Sequence, residues 1–140
     1  MNKEIHFCKV CGTSYNVERH HIMFRSEVKA LEQCELNFIY LCSEHHKGTY
    51  GPHGSKGAAI NRKLKLEFQN KLEMFWYKPY LNKEDIQEVL GISENALNRL
   101  FKTLKVVKGE YVREDILRAC MGGKILYELW RTIQTRCSTI

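Results

Sequence analysis

Two short motifs repeat one spacing. Cys8-Lys9-Val10-Cys11 and Cys42-Ser43-Glu44-His45 each hold two metal-binding side chains three residues apart. Together they offer three thiolates and one imidazole, the ligand set of a closed, tetrahedral zinc site of the structural kind. Gly12 follows the first pair and suits the turn that points both thiolates at one ion. Spacing points to His45 as the fourth ligand, with its neighbour His46 as the alternative. The need for such a site is physical. A unit of about 54 residues encloses too little apolar volume to hold itself together, and a bound zinc supplies the difference. Cys34, Cys120 and Cys137 have no partner at such a spacing and read as small buried residues.

All six histidines (6, 20, 21, 45, 46 and 53) lie in the first 54 residues, and the chain's two aspartates, Asp85 and Asp115, lie far beyond them. No Asp-based metal or acid–base site is available in residues 1–84. Chemistry there must rest on imidazole, thiolate and bound metal. The elements that position these groups follow from the apolar pattern. Val17–Met23 reads as a short strand carrying His20-His21, and Leu36–Cys42 as a second. Adjacent strand residues point to opposite faces, so His20 and His21 share a side only if the strand bends or bulges. Ser43 reads as the N-cap of a short helix carrying His45 and His46. Gly51-Pro52-His53-Gly54 then reads as a turn that presents His53, where the bland account makes these histidines solvated loop residues.

This order of motifs resembles the HNH endonucleases of ββα-metal fold, and most of all the zinc-containing members of phages and prophages. The motifs are Cys-x-x-Cys, His-His-Ile, Asn-x-x-x-Leu-Cys-x-x-His-His and Gly-x-His-Gly. The resemblance covers about residues 5–75, and Asn37 stands where the family's Asn-Leu-x-x-Leu-Cys places its Asn. It implies a one-metal phosphodiesterase. By that resemblance His21 is the general base, His20 a ligand of the catalytic metal where many members carry Asp, and Asn37 the brace of the loop that orients His21. His46 and His53 complete the histidine side of the site, or one of them contacts the scissile phosphate. Two departures matter. The acidic ligand is absent, and Mg2+ prefers oxygen, so Mn2+, Ni2+ or Zn2+ suits the site better. Many members also place the last His where Tyr50 stands, so His53 must arrive from a loop. The expected products are a 5′-phosphate and a 3′-hydroxyl. The alternative is an inactive HNH-fold zinc protein that regulates DNA or inhibits a protein.

Residues 55–79 read as a connecting amphipathic helix. Ile60, Leu64, Phe68, Leu72 and Phe75 form one stripe, and Lys63, Glu67 and Lys71 sit at i,i+4 on another face. The stretch is net basic, with Lys56, Arg62 and Lys63 placed to track phosphates. Trp76 and Tyr77 are expected to cap its core, and Pro79 to end it. Residues 80–140 read as a further small unit. Asn82 caps a helix over Lys83–Leu90 with Asp85 as capping-box partner, Gly91-Ile92 turns, and Ser93 caps a helix over Glu94–Leu104. A hairpin turning at Lys108-Gly109, a helix from Arg113 to about Met121 and a last helix over Lys124–Arg136 follow. Asp85–Ser93 resembles the winged helix-turn-helix of excisionase-like proteins. That resemblance implies bases or phosphates reached by Asn95, Asn98, Arg99 and Lys102, and backbone contacts from Lys105 and Lys108. A helical module for dimerisation or partner binding is the other reading of this unit.

Charge distributes accordingly. The net charge is +6, from 22 Lys and Arg against 16 Asp and Glu. Residues 1–54 carry six of each sign and the whole excess follows them, which favours an anionic partner such as DNA. No window is apolar enough to span a membrane, and no export signal is evident. The expected setting is a reducing cytoplasm, of bacterium or infected host, where cysteines bind metal and do not pair. The expectation is an α+β protein: a zinc-stabilised HNH core over 1–54, a basic helix over 55–79 and a helix-turn-helix-like unit over 80–140. It would hold one structural Zn2+ and one catalytic divalent ion, and as a monomer would nick DNA.

Overall fold

The computed structural model describes residues 4–127. Five α-helices and two small antiparallel sheets, each of two strands, make these residues a mixed α+β fold. Strand β1 (Val17–His21) pairs with β2 (Phe38–Cys42), with His20 opposite Ile39 and His21 opposite Phe38. The chain bends at Ile22-Met23, so β1 stops short of the expected end. The intervening loop holds two short 3-10 turns, Lys29–Leu31 and Glu35–Asn37. Helix α1 (Ser43–Lys47) follows β2 without a break. Ser43 is therefore not its N-cap. Cys42 takes that place, because as the last strand residue it already has the extended backbone of a cap. Ser43 Oγ turns to β1, 3.2 Å from Glu18 Oε1.

Helix α2 (Ala58–Phe75) is shorter at both ends than the expected 55–79. Its start is set by the glycine-rich stretch before it. The N–H groups of Gly51, Gly54 and Gly57 donate to the carbonyls of Gly48, Gly51 and Gly54 at 3.0, 2.8 and 3.2 Å, a tight coil with a three-residue period. A Cβ at Gly54 would run into the carbonyl oxygen of Gly48. At the other end Trp76 leaves the helix (φ −103°, ψ 84°) and buries its indole, whose Nε1 donates to the Asp85 carbonyl at 3.3 Å. Leu64, Phe68 and Leu72 of the stripe are buried, whereas Phe75 and Tyr77 are exposed, contrary to expectation. Glu67 pairs with Lys9 of the N-terminal turn at 2.7 Å, tying α2 to the cysteine motif.

Beyond α2 run β3 (Tyr80–Asn82), α3 (Lys83–Leu90), α4 (Glu94–Phe101), β4 (Glu110–Val112) and α5 (Arg113–Cys120). The reciprocal Asn82–Asp85 capping box is present, and Ser93 Oγ accepts from the Ala96 N–H at 3.2 Å. Helix α4 stops at Phe101, three residues before the expected end. Lys108 and Gly109 take positive φ (52° and 77°), and Val107 and Glu110 exchange backbone bonds across them, the signature of a tight hairpin turn. Strand β3 was not anticipated; it pairs with β4 to close the small sheet. Residues 124–127 are irregular, so the expected last helix does not begin at Lys124. The rest of that helix, and Cys137, lie outside the described residues. Buried side chains form one cluster running from Cys8 to Met121. Helix α4 packs on the turn at Lys29–Leu31, and Arg113 donates to the backbone carbonyls of Glu73 and Trp76. No helix among the described residues is long and apolar enough to cross a membrane.

Candidate metal sites and active site

Cys8, Cys11, Cys42 and His45 converge at the start of α1. Cys11 Sγ lies 3.9 Å from Cys42 Sγ, and His45 Nδ1 lies 3.7 Å from Cys8 Sγ and 3.2 Å from Cys42 Sγ. Ligands at the corners of a tetrahedron around zinc, with bonds of about 2.3 and 2.05 Å, stand about 3.5–3.8 Å apart. The cluster has that size. The turn is shaped by Gly12 (φ 75°), whose N–H donates to the Cys8 carbonyl at 2.8 Å. Burial raises the Cys8 thiol pKa, but backbone hydrogen bonds at Cys42, Cys11 and Val10 outweigh it and bring it down to about 6. That favours the thiolate, which is the form that binds metal. His45, and not its neighbour His46, belongs to this set.

His46 points the other way because α1 carries successive side chains around its axis. It joins His20 from β1 and His53 from the glycine-rich turn in a second cluster. His20 Nδ1 and His46 Nε2 are 3.2 Å apart, near the separation of two imidazole nitrogens on one ion. The three ring centroids lie 4.8–5.1 Å from one another. His53 is held there by its own N–H, which donates to the His46 carbonyl at 3.2 Å, and by Phe24 stacked on its ring. His20 Nε2, the ring nitrogen that does not meet His46, is buried without a hydrogen-bond partner. Burial first, then the neighbouring His46 and His53, depresses the His20 pKa to about 4; burial and His46 likewise lower that of His53. Neutral imidazoles are the ligand form. The donor set fits a borderline divalent ion better than Mg2+.

Sequence reasoning missed Glu18. Its Oε2 lies 3.1 Å from His46 Nδ1 and accepts from Lys47 Nζ at 3.1 Å. Lys47, with the His46 contact, holds the carboxyl below its ordinary pKa. A carboxylate on Nδ1 fixes the His46 tautomer that leaves Nε2 facing the cluster. The signal was available: Glu18 stands two residues before His20, on the same face of β1.

His21 closes β1 beside this cluster. The bend at Ile22-Met23 lets both His20 and His21 line one cavity of about 250 Å3, together with Arg19, Phe24, Arg25, His46 and His53. His21 Nε2 is 2.9 Å from the Glu32 carbonyl oxygen, which can only accept. Nε2 therefore carries the proton, and the Nδ1 lone pair is available. Asn37 is fully buried and spans the base of the same loop. It accepts from the Met23 N–H at 2.7 Å and donates to the Met23 and Leu31 carbonyls at 3.0 and 3.2 Å. It thereby fixes both ends of the segment whose Glu32 carbonyl holds His21.

The basic residues singled out from the sequence lie elsewhere. Lys56 and Lys63 are exposed near the start of α2; Arg62 is exposed too, but donates to the Tyr127 carbonyl at 2.8 Å. Asn95, Asn98 and Arg99 face outward from α4, with Lys102 just past its end, while Leu97 and Leu100 face the core. Lys105 and Lys108 are exposed at the hairpin. Comparison with protein-family models, curated proteins and solved structures finds no match for this chain.

Proposed function

We propose that the chain is an HNH-type DNA endonuclease acting by a one-metal, histidine-base mechanism. One observation carries this reading: an imidazole with its tautomer fixed, His21, opens into the same cavity as three converging imidazoles. His20, His46 and His53 would hold a divalent ion, which when bound supplies positive charge to the phosphate oxygens and to the departing 3′ oxygen. His21 Nδ1 takes a proton from a water in the cavity. The water oxygen bonds to phosphorus, the P–O3′ bond breaks, the departing 3′ oxygen takes a proton from solvent water, and a 5′-phosphate and a 3′-hydroxyl result. Asn37 and the Glu32 carbonyl keep Nδ1 aimed during the transfer. The first cluster, around Cys8, Cys11, Cys42 and His45, serves as the structural zinc site. The outward faces of α4 and the hairpin, with Asn95, Asn98, Arg99, Lys102 and Lys108, hold DNA, supported by the basic start of α2. With one such site among the described residues, the monomer nicks.

Supercoiled plasmid incubated with Mg2+, Mn2+, Ni2+ or Zn2+ tests this. The wild type relaxes the plasmid, and His21→Ala loses about 10²–10⁴-fold in rate. Undiminished relaxation by the variant refutes the base assignment. No relaxation by the wild type with any metal moves the reading to a non-catalytic zinc protein.

A further inference from the structure

The histidine cavity has two cationic walls that the metal and the base do not account for. Arg19 precedes His20 on β1, and Arg25 stands in the loop beyond the bend; both line the cavity and both are exposed. Arg19 lies over the Phe38 ring, its guanidinium carbon 4.4 Å from the ring centroid. The cation–π contact anchors the guanidinium while its N–H donors remain able to bind an anion. Arg25 reaches the Glu32 carboxylate with one nitrogen at 3.3 Å and keeps its other donors. Nearby carboxylates are engaged. Glu32 serves Arg25, and Glu18 is turned to His46, Ser43 and Lys47. Two cationic side chains thus line the rim of an imidazole-lined cavity, which suits a polyanion larger than one phosphate.

We propose that Arg19 and Arg25 bind the phosphates on either side of the scissile one, making the cavity selective for a polynucleotide strand over an isolated phosphodiester. The inference rests on the endonuclease reading above, but its first test does not require catalysis. A fluorescent duplex of about 12 base pairs is titrated by anisotropy with the His21→Ala protein and with the same protein carrying Arg19→Ala or Arg25→Ala. Each arginine variant is expected to weaken binding about tenfold and to lower the salt slope by about one phosphate contact. Arg19→Lys keeps the charge but loses the stacked fork, and is expected to recover only part of the affinity. Unchanged affinity and slope in both alanine variants overturn the proposal.

The second arm uses bis(p-nitrophenyl) phosphate, which has one phosphate and no neighbours. With His21 intact, Arg19→Ala and Arg25→Ala are expected to reduce plasmid nicking at least tenfold more than they reduce hydrolysis of this ester. Equal loss on both substrates would place the arginines on the reacting phosphate and overturn the flanking role. If the wild type cleaves neither substrate, the endonuclease reading fails while the anisotropy result still decides whether the arginines bind phosphates.

Discussion

At the scale of single residues, the second cluster depends on groups that do not themselves reach an ion. Glu18 is the sharpest case. Its contact with His46 Nδ1 settles which nitrogen faces His20 and His53. Glu18→Ala is expected to lower divalent-metal affinity at that cluster about 10–100-fold, whereas Glu18→Gln keeps an acceptor and loses less. Calorimetric titration with Mn2+ or Ni2+ measures this, with the zinc content of the cysteine site as the control. Equal affinity in Glu18→Ala would remove its orienting role. His20 gives a pH signature. Its folded pKa, about 4, lies below the ordinary 6.5, so the unfolded chain takes up the proton first as pH falls. The stability it contributes as a neutral group is complete above about pH 6.5 and is lost progressively toward pH 4. Denaturant midpoints of wild type and His20→Asn should therefore converge as pH drops from 7 to 4. A constant difference across that range contradicts the assignment.

At the scale of elements, what could be read ahead was local. The Asn82–Asp85 capping box and the Ser93 cap involve residues three apart, and β2 announces itself by an apolar run that ends in the second cysteine motif. The convergence of Cys8, Cys11, Cys42 and His45 followed from spacing alone. What stayed hidden depends on distant partners. Strand β3 is three residues long and is a strand only because β4, 28 or more residues later, supplies its hydrogen bonds. The Glu32 carbonyl that holds His21 is a backbone group, which no residue type advertises. The end of α2 at Phe75 follows from burial of Trp76, not from Pro79. The glycine-rich coil is intermediate. Its turn at His53 was legible, but the close approach of Gly54 to the Gly48 carbonyl was not. Gly54→Ala is expected to cost about 1–3 kcal/mol by overpacking and to displace His53. It should lower the melting temperature and weaken metal binding at the histidine cluster together. A variant with wild-type melting and wild-type metal affinity would show that the coil opens without consequence.

At the scale of the whole molecule, the division of labour in charge and the continuity of the core pull in different directions. The half with the cysteine and histidine clusters is neutral by formal charge and the rest carries the basic excess, as two parts with separate tasks would. Yet the buried side chains do not stop between them. Helix α4 packs on the turn at Lys29–Leu31, and the next residue, Glu32, holds His21 by its carbonyl and Arg25 by its carboxylate. Gly122, after α5, lies against Met23 and Val28 of the same loop. The loop whose Glu32 carbonyl meets His21 is therefore sandwiched between the hairpin of the cysteine and histidine clusters and helix α4, which presents Asn95, Asn98 and Arg99. Leu97 is wholly buried on the core side of α4. Leu97→Ala is expected to cost about 2–5 kcal/mol, the range for a leucine lost from a packed core. Because the core is continuous, the variant should still unfold in one transition, with zinc release and loss of helical circular dichroism sharing a midpoint. Zinc retained through a separate, earlier loss of helix would show instead that α4 and α5 melt away from an independently stable hairpin, and that His21 is aimed without them.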